Sequence, residues 1–239
     1  TLSASLAPGV YRLADVIVNI GAGPFPTELI QLDRDSKLIQ IETDPNDMGV
    51  AYMGITGDPK NVLKQMLEAM TEGGSRKEWL NKVAGLRAAF EKEIKESTEA
   101  HWNDRPIHPS RLGKEIADFL GKDLIAVGVV DGSEADIWFR SWVRARFPGQ
   151  LMTIPYEHGL GPGVPMAVGV QLSKPDKRIL VHAGDARGLA LMEIKTALAR
   201  KLAIIVVLFN YSEPHVRYDK VAEGLGAHGF NVNKPKEIQ

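Results

Sequence analysis

Asp185 closes an apolar run and is followed by a small residue, and Asn210 closes a second apolar run further along the chain. The stretch between them, GDARGLALMEIKTALARKLAIIVVLFN, reads as a strand end, a helix and a strand. An acidic and an amide side chain therefore stand at the carboxyl ends of two parallel strands, the edge where open α/β sheets take phosphorylated ligands. Carboxylate and carboxamide oxygens suit Mg²⁺, which completes its octahedron with water and phosphate oxygens. A helix opening near Arg187 or Gly188 aims backbone N–H groups at phosphate. Gly184, Asp185, Ala186, Arg187 and Asn210 thus point to a metal–diphosphate site, with Asp185 and Asn210 as the metal ligands. Read alone, Asp185 is better explained as the cap of the following helix.

Other candidates flank this segment. Glu157-His158-Gly159-Leu160-Gly161-Pro162-Gly163 is a glycine- and proline-rich loop, and Asp131-Gly132-Ser133-Glu134 turns at the end of a strand. His158 has a side chain suited to proton transfer at neutral pH. No partner for it is visible, and a surface-loop histidine is the simpler reading. In the first part of the chain, Gly21-Ala22-Gly23 follows a strand and Glu42 ends the next. The third glycine of a dinucleotide fingerprint is missing there, and Pro24 and Pro26 stiffen the turn, so the signal is weak.

The elements that must position these residues follow from periodicity. Strands are expected over Ala14–Ile20 and Lys37–Glu42, with a helix over Asp58–Met70 carrying Val62, Met66 and Met70 on one face. A long helix from Arg76 to Glu99 places Trp79, Val83, Leu86, Phe90 and Ile94 on one stripe. The polar link Asn103–Pro109 leads to a helix over Ser110–Leu120 and a buried-type strand over Leu124–Val130. A helix containing Trp138 and Trp142 comes next, then one ending near Leu172, the Gly184–Asn210 unit and a helix over Tyr218–Leu225. A last short strand is expected around Phe230–Val232. Alternating strands and helices give an α/β chain with two doubly wound parallel-sheet domains. The expected division is residues 1–74, a helical linker 75–106, and a second domain 107–239.

Composition narrows the function. Of 239 residues, 29 are basic and 30 acidic, giving a net charge of −1 with no basic block, which disfavours a nucleic-acid surface. Cysteine is absent, which excludes disulfides and Cys-ligated zinc and fits a cytoplasmic setting. No apolar run is long enough for a membrane helix.

These motifs together resemble the middle and carboxyl-terminal parts of thiamine-diphosphate-dependent enzymes, the group of acetolactate synthases, 2-hydroxyacyl-CoA lyases, oxalyl-CoA decarboxylases and benzaldehyde lyases. The resemblance rests on Gly184-Asp185-Ala186 with Asn210-Tyr211, where the family has Gly-Asp-Gly and Asn-Asn. It extends through HGLGPGVPMAVGVQLSKPDKR, RYDKVAEGLGAHGFNVNKPKEI, KLIQIETDPNDMG and GDPKNVL. It implies thiamine diphosphate and Mg²⁺ as cofactors, with Gly184, Asp185, Ala186, Arg187, Ser133, Leu160, Gly161 and Asn210 lining the cofactor and Leu160 supporting its bent shape. It also implies FAD or ADP as an occupant of the middle domain in some relatives, and a dimer or tetramer of identical chains. Substrates would be 2-hydroxyacyl compounds, 2-oxo acids or aldehydes, with a carbon–carbon bond made or broken beside a carbonyl. The lyase branch is the first expectation from DRPIHPSRLGKEIADFL and GPGVP, and acetolactate synthase the alternative. A non-catalytic binding module is the rival class. Ala186, Tyr211 and a short segment after Asn210 depart from the family pattern. No amino-terminal pyrimidine domain is expected in this chain, and no residue of it is assigned a catalytic role.

Overall fold

The computed structural model describes residues 7–25, 32, 35–71, 73–122, 126–131, 134–153, 161–184, 191–211 and 215–238, the side chains of 7–8, 126 and 134–137 excepted. The chain forms two compact units, residues 1–92 and 93–239. Each is an α/β unit built on a parallel sheet.

In the first unit a short helix α1 (Ala7–Tyr11) precedes β1 (Val16–Ile20), β2 (Lys37–Glu42) and β3 (Met53–Thr56), which pair in the order β1-β2-β3. Ile17, Phe25 and Leu38 form its buried cluster. Helix α2 (Pro59–Ala69) starts where expected, because Asp58 accepts the Asn61 N–H and Pro59 needs no donor at the first position. Helix α3 (Lys77–Ala100) also matches its expected stripe, and the boundary between the units falls within it.

The second unit contains α4 (Pro109–Lys122), β4 (Ala126–Asp131), α5 (Glu134–Trp142), β5 (Leu151–Thr153), α6 (Gly163–Ser173), β6 (Arg178–Gly184), α7 (Ile194–Ala199), β7 (Ile204–Phe209) and α8 (Tyr218–Leu225). The strand order is β5-β4-β6-β7, all parallel. Period-2 alternation sends Val127, Val129, Ile179, Val181 and Ala183 to one face, against Ala167 and Val170 of α6. Val130 and Leu180 face the other way, against Ile116, Leu120 and Phe139 of α4 and α5. Both faces of the sheet are covered, which is why these strands read as continuous apolar runs. Burying each such valine or leucine contributes about 1.5–3 kcal/mol before chain entropy is charged against it.

Two expectations change. Phe230–Val232 is not a strand; Phe230 is 83% exposed, and the segment leads into a single 3₁₀ turn at Pro235–Glu237. The short strands β3 and β5 escaped notice because four and three residues are too few to show a period.

Helices α4 and α5 meet at Gly113. A Cβ there would lie 2.8 Å from the Phe139 nitrogen and 2.9 Å from the Trp138 carbonyl carbon, both backbone atoms that cannot swing aside. Gly113→Ala is expected to cost about 1–3 kcal/mol in urea unfolding. At Gly121 the same methyl meets only the end of the Arg146 side chain at 3.6 Å. Gly121→Ala should be neutral or stabilising by about 0.5–1 kcal/mol.

Candidate functional site at the carboxyl edge of the second sheet

From β4 the chain crosses to β5 on one side, then returns over the sheet to β6 on the other. The connections at the carboxyl ends of β4 and β6 therefore part, leaving the crevice where α/β sheets bind ligands. Asp131 ends β4, paired with Ala183 of β6, and Gly184 ends β6, paired with Phe209 of β7. Asp185 and Asn210 are the next residues after those paired ends.

Asp131 is a residue that sequence reasoning passed over. It is 2% exposed, and its Oδ2 accepts the N–H of Gly163 at 2.9 Å, at the first residue of α6. The negative side chain thus takes an unpaired donor at the positive end of a helix. A Cβ on Gly163 would approach the Asp131 Cβ to 2.7 Å and Val181 Cγ1 to 3.1 Å. Only glycine lets the helix start this close to the strand. Gly161, two residues earlier, is buried with φ of +96°, a left-handed conformation that glycine adopts without strain. The available signal was an aspartate closing an apolar strand, the same signal that drew attention to Asp185.

Asn210 is exposed at the end of β7, and its Nδ2 donates to the Val216 carbonyl at 2.8 Å. That bond fixes the amide and commits its nitrogen to the protein. Val216 O also accepts the Tyr218 N–H at 2.9 Å. Arg217 forks onto Asp219 with bonds of 2.8 and 2.6 Å, holding the entry to α8 beside Val216. The guanidinium lowers the Asp219 carboxyl from its ordinary 3.8 to about 2.

Of the residues expected to form the site, Gly184, Gly161 and Asn210 are described, and all three lie at or just beyond the ends of elements of the second unit. Asp185, Ala186, Arg187, Leu160 and Ser133 lie outside the described residues, as do Glu157 and His158. The described part offers an exposed amide, Asn210, at one strand end and a glycine, Gly184, at the next. His182, by contrast, is core; it is 1% exposed on the α4–α5 face of β6, with its ring centroid 5.4 Å from that of Phe139.

The same scheme recurs in the first unit. Glu42 Oε1 accepts the Ala22 and Gly23 N–H groups at 3.0 and 2.9 Å, and Gln40 Nε2 donates to Gly23 O at 2.9 Å. The loop amides that a dinucleotide's phosphates would need are held by a protein carboxylate instead.

Residues 131–213 match the profile of the thiamine pyrophosphate enzyme family's C-terminal TPP binding domain. The match opens on Asp131 and takes in β6, β7 and Asn210, the whole carboxyl edge just described. Over those residues the chain is similar to the cofactor-binding domain of thiamine-diphosphate-dependent enzymes. Among curated relatives, the acetolactate synthase of Bacillus subtilis is 24% identical over 253 residues, covering 94% of this chain and 43% of its own length. The sulfoacetaldehyde acetyltransferase of Alcaligenes xylosoxydans xylosoxydans is 27% identical over 230 residues, covering 82% and 38%. The acetolactate synthase isozyme 1 large subunit of Escherichia coli is 25% identical over 209 residues, covering 84% and 35%. The chain thus spans about two-fifths of the length of these relatives. Among the described residues, no helix is long and apolar enough to cross a membrane.

The Arg217–Asp219 fork gives a pH test. Because the folded carboxyl titrates lower than the ordinary value, its contribution is present above about pH 3.8 and is lost as pH falls through about 2. Carboxyl NMR titration should find Asp219 near 2 and Asp219→Asn should abolish that titration. The Asn210 side-chain amide signals should move in the same low-pH window, and should stay fixed through it in Asp219→Asn.

Proposed function

We propose that this chain is the cofactor-binding part of a thiamine-diphosphate-dependent enzyme that makes or breaks a carbon–carbon bond beside a carbonyl. The observation carrying the proposal is the coincidence of the family match with the switch-point crevice from Asp131 to Asn210. Asp185 and Asn210 hold Mg²⁺ in this reading. Gly184, Ala186 and Arg187 meet the diphosphate, and Ser133, Leu160 and Gly161 line the rest of the cofactor. The bound cofactor supplies an electron sink for the bond that breaks. This chain's residues bind and orient it: Asn210 through its fixed amide oxygen, and Gly184 by leaving the strand end without a side chain. The Gly163–Asp131 bond keeps α6 at the wall of the crevice.

An acyl-transferring enzyme of the acetolactate synthase type is the better-supported form of this proposal. Relatives with acetolactate synthase and acetyltransferase names cover 82–94% of the chain. The first expectation, a 2-hydroxyacyl-CoA or benzaldehyde lyase, becomes the second reading. The substrates proposed are small 2-oxo acids or aldehydes, in a cytoplasmic homo-oligomer. A FAD or ADP in the first unit would have to displace Glu42 from the Ala22 and Gly23 amides.

Calorimetric titration with thiamine diphosphate tests the site. Binding should require Mg²⁺ and weaken at least about tenfold in Asp185→Ala and in Asn210→Ala. Metal-independent binding, or binding unchanged in both variants, rejects the assignment. In the full-length protein, pyruvate should yield acetolactate; cleavage of a 2-hydroxyacyl thioester without that product would select the lyase reading.

A further inference from the structure

The second unit has a cavity of about 560 Å³ on its helical layer, away from the carboxyl edge of the sheet. It is open to the surface, with room for a small organic ligand. Two indoles supply its apolar walls, Trp102 from the turn after α3 and Trp142 from the end of α5. Lys95, Thr98 and Glu99 reach it from the last turns of α3, and Lys114 reaches it from α4. Lys95, Thr98, Glu99 and Trp102 follow helical spacing, so one stripe of α3 and its following turn is given to the cavity.

Both indoles are braced by buried polar groups. Trp142 Nε1 donates to the hydroxyl of Thr98 at 3.2 Å, and Thr98 is 2% exposed. Arg111, 3% exposed, lies over the Trp102 ring with its guanidinium carbon 4.4 Å from the centroid. The same guanidinium donates to the Trp102 carbonyl at 2.6 Å. Walls held this way lose little freedom when a ligand arrives, which favours binding. The lining carries two ammonium groups and one carboxylate. Lys95 pairs with Glu99 at 3.8 Å with both side chains about two-thirds exposed, a solvated pair of little worth. Lys114 pairs with Asp118 at 2.5 Å and sits 5.1 Å from the Trp142 ring centroid, so its charge lies against an indole wall.

We propose that this cavity binds a planar aromatic anion, its ring against the Trp102 and Trp142 indoles and its charged group on Lys95 and Lys114. The ring gains from stacking on a braced aromatic wall. The anion gains from ammonium groups whose present partners are a solvated carboxylate and a half-exposed one. Among the described residues, none of the carboxyl-edge site lines the cavity, which sets its ligand apart from the cofactor of that edge. Aromatic carboxylates and nucleoside phosphates share the required chemistry.

The test uses the full 239-residue chain. The four tryptophan indole N–H signals are assigned with single Trp→Phe variants, and 2-naphthoate and AMP are titrated separately. Uncharged 2-naphthalenemethanol and inorganic phosphate serve as the ring-only and charge-only controls. Expected is a shift of the Trp102 and Trp142 signals, with Trp79 unmoved, by at least one of the two aromatic anions. That anion should bind at least about tenfold tighter than either control. Whichever of the two binds tighter identifies the source. A Lys95→Ala/Lys114→Ala double variant, with its fold checked by circular dichroism, should lose this preference for the anion. The proposal is overturned if neither anion shifts the two indole signals at millimolar concentration. It is equally overturned if the neutral ring binds as well, or if the double variant binds the anion unchanged.

Discussion

A buried carboxylate at the end of one strand holds the start of a helix that belongs to another part of the chain, and the crevice of the second unit depends on it. Asp131 closes β4 and accepts the Gly163 N–H at the opening of α6. On either side of β4 the connections run opposite ways, so the carboxyl edge opens between β4 and β6. Without the Asp131–Gly163 bond, the first N–H of α6 would lose its side-chain partner. Gly163 has no room for a side chain, which makes strand end and helix start one rigid corner.

The rest of the unit keeps that corner in place. Alternate residues of β4 and β6 pack against α6 on one face and against α4 and α5 on the other, so neither strand can shift by one residue without exposing its core side chains. The close approach at Gly113 brings α4 and α5 into backbone contact. At the far strand, Asn210 is oriented by Val216, and Val216 adjoins the Arg217–Asp219 fork. Asn210 thus directly follows a strand of a packed sheet, and its amide is held by a hydrogen bond.

Both units place a carboxylate at the carboxyl edge of a parallel sheet and satisfy it with backbone N–H groups from a glycine-containing segment. In the first unit Glu42 takes Ala22 and Gly23; in the second, Asp131 takes Gly163. The consequences differ. Glu42 occupies two loop donors, whereas Asp131 takes the first donor of a helix. The cavity between Trp102 and Trp142 is built on a different principle, with aromatic walls braced by Thr98 and Arg111.

Local pattern alone determined the alternation of strands and helices, the parallel class of both sheets, and Asn210 at a strand end. Each of these depends on side-chain periodicity or on a cap such as Asp58, and both are written into neighbouring residues. The resemblance carried by Gly184-Asp185-Ala186 and Asn210 pointed, without coordinates, to the same family whose domain profile matches residues 131–213. Strands β3 and β5 were not legible, because runs of three or four residues become strands only through a neighbour that pairs with them. Phe230–Val232 failed for the converse reason: its composition suits a strand, but it pairs with no strand. Asp131 looked like an ordinary turn residue, and Glu42 like a weak nucleotide signal. Which backbone each carboxylate meets is a long-range fact, decided only when β4 and α6, or β2 and the Gly21–Gly23 loop, are folded against one another.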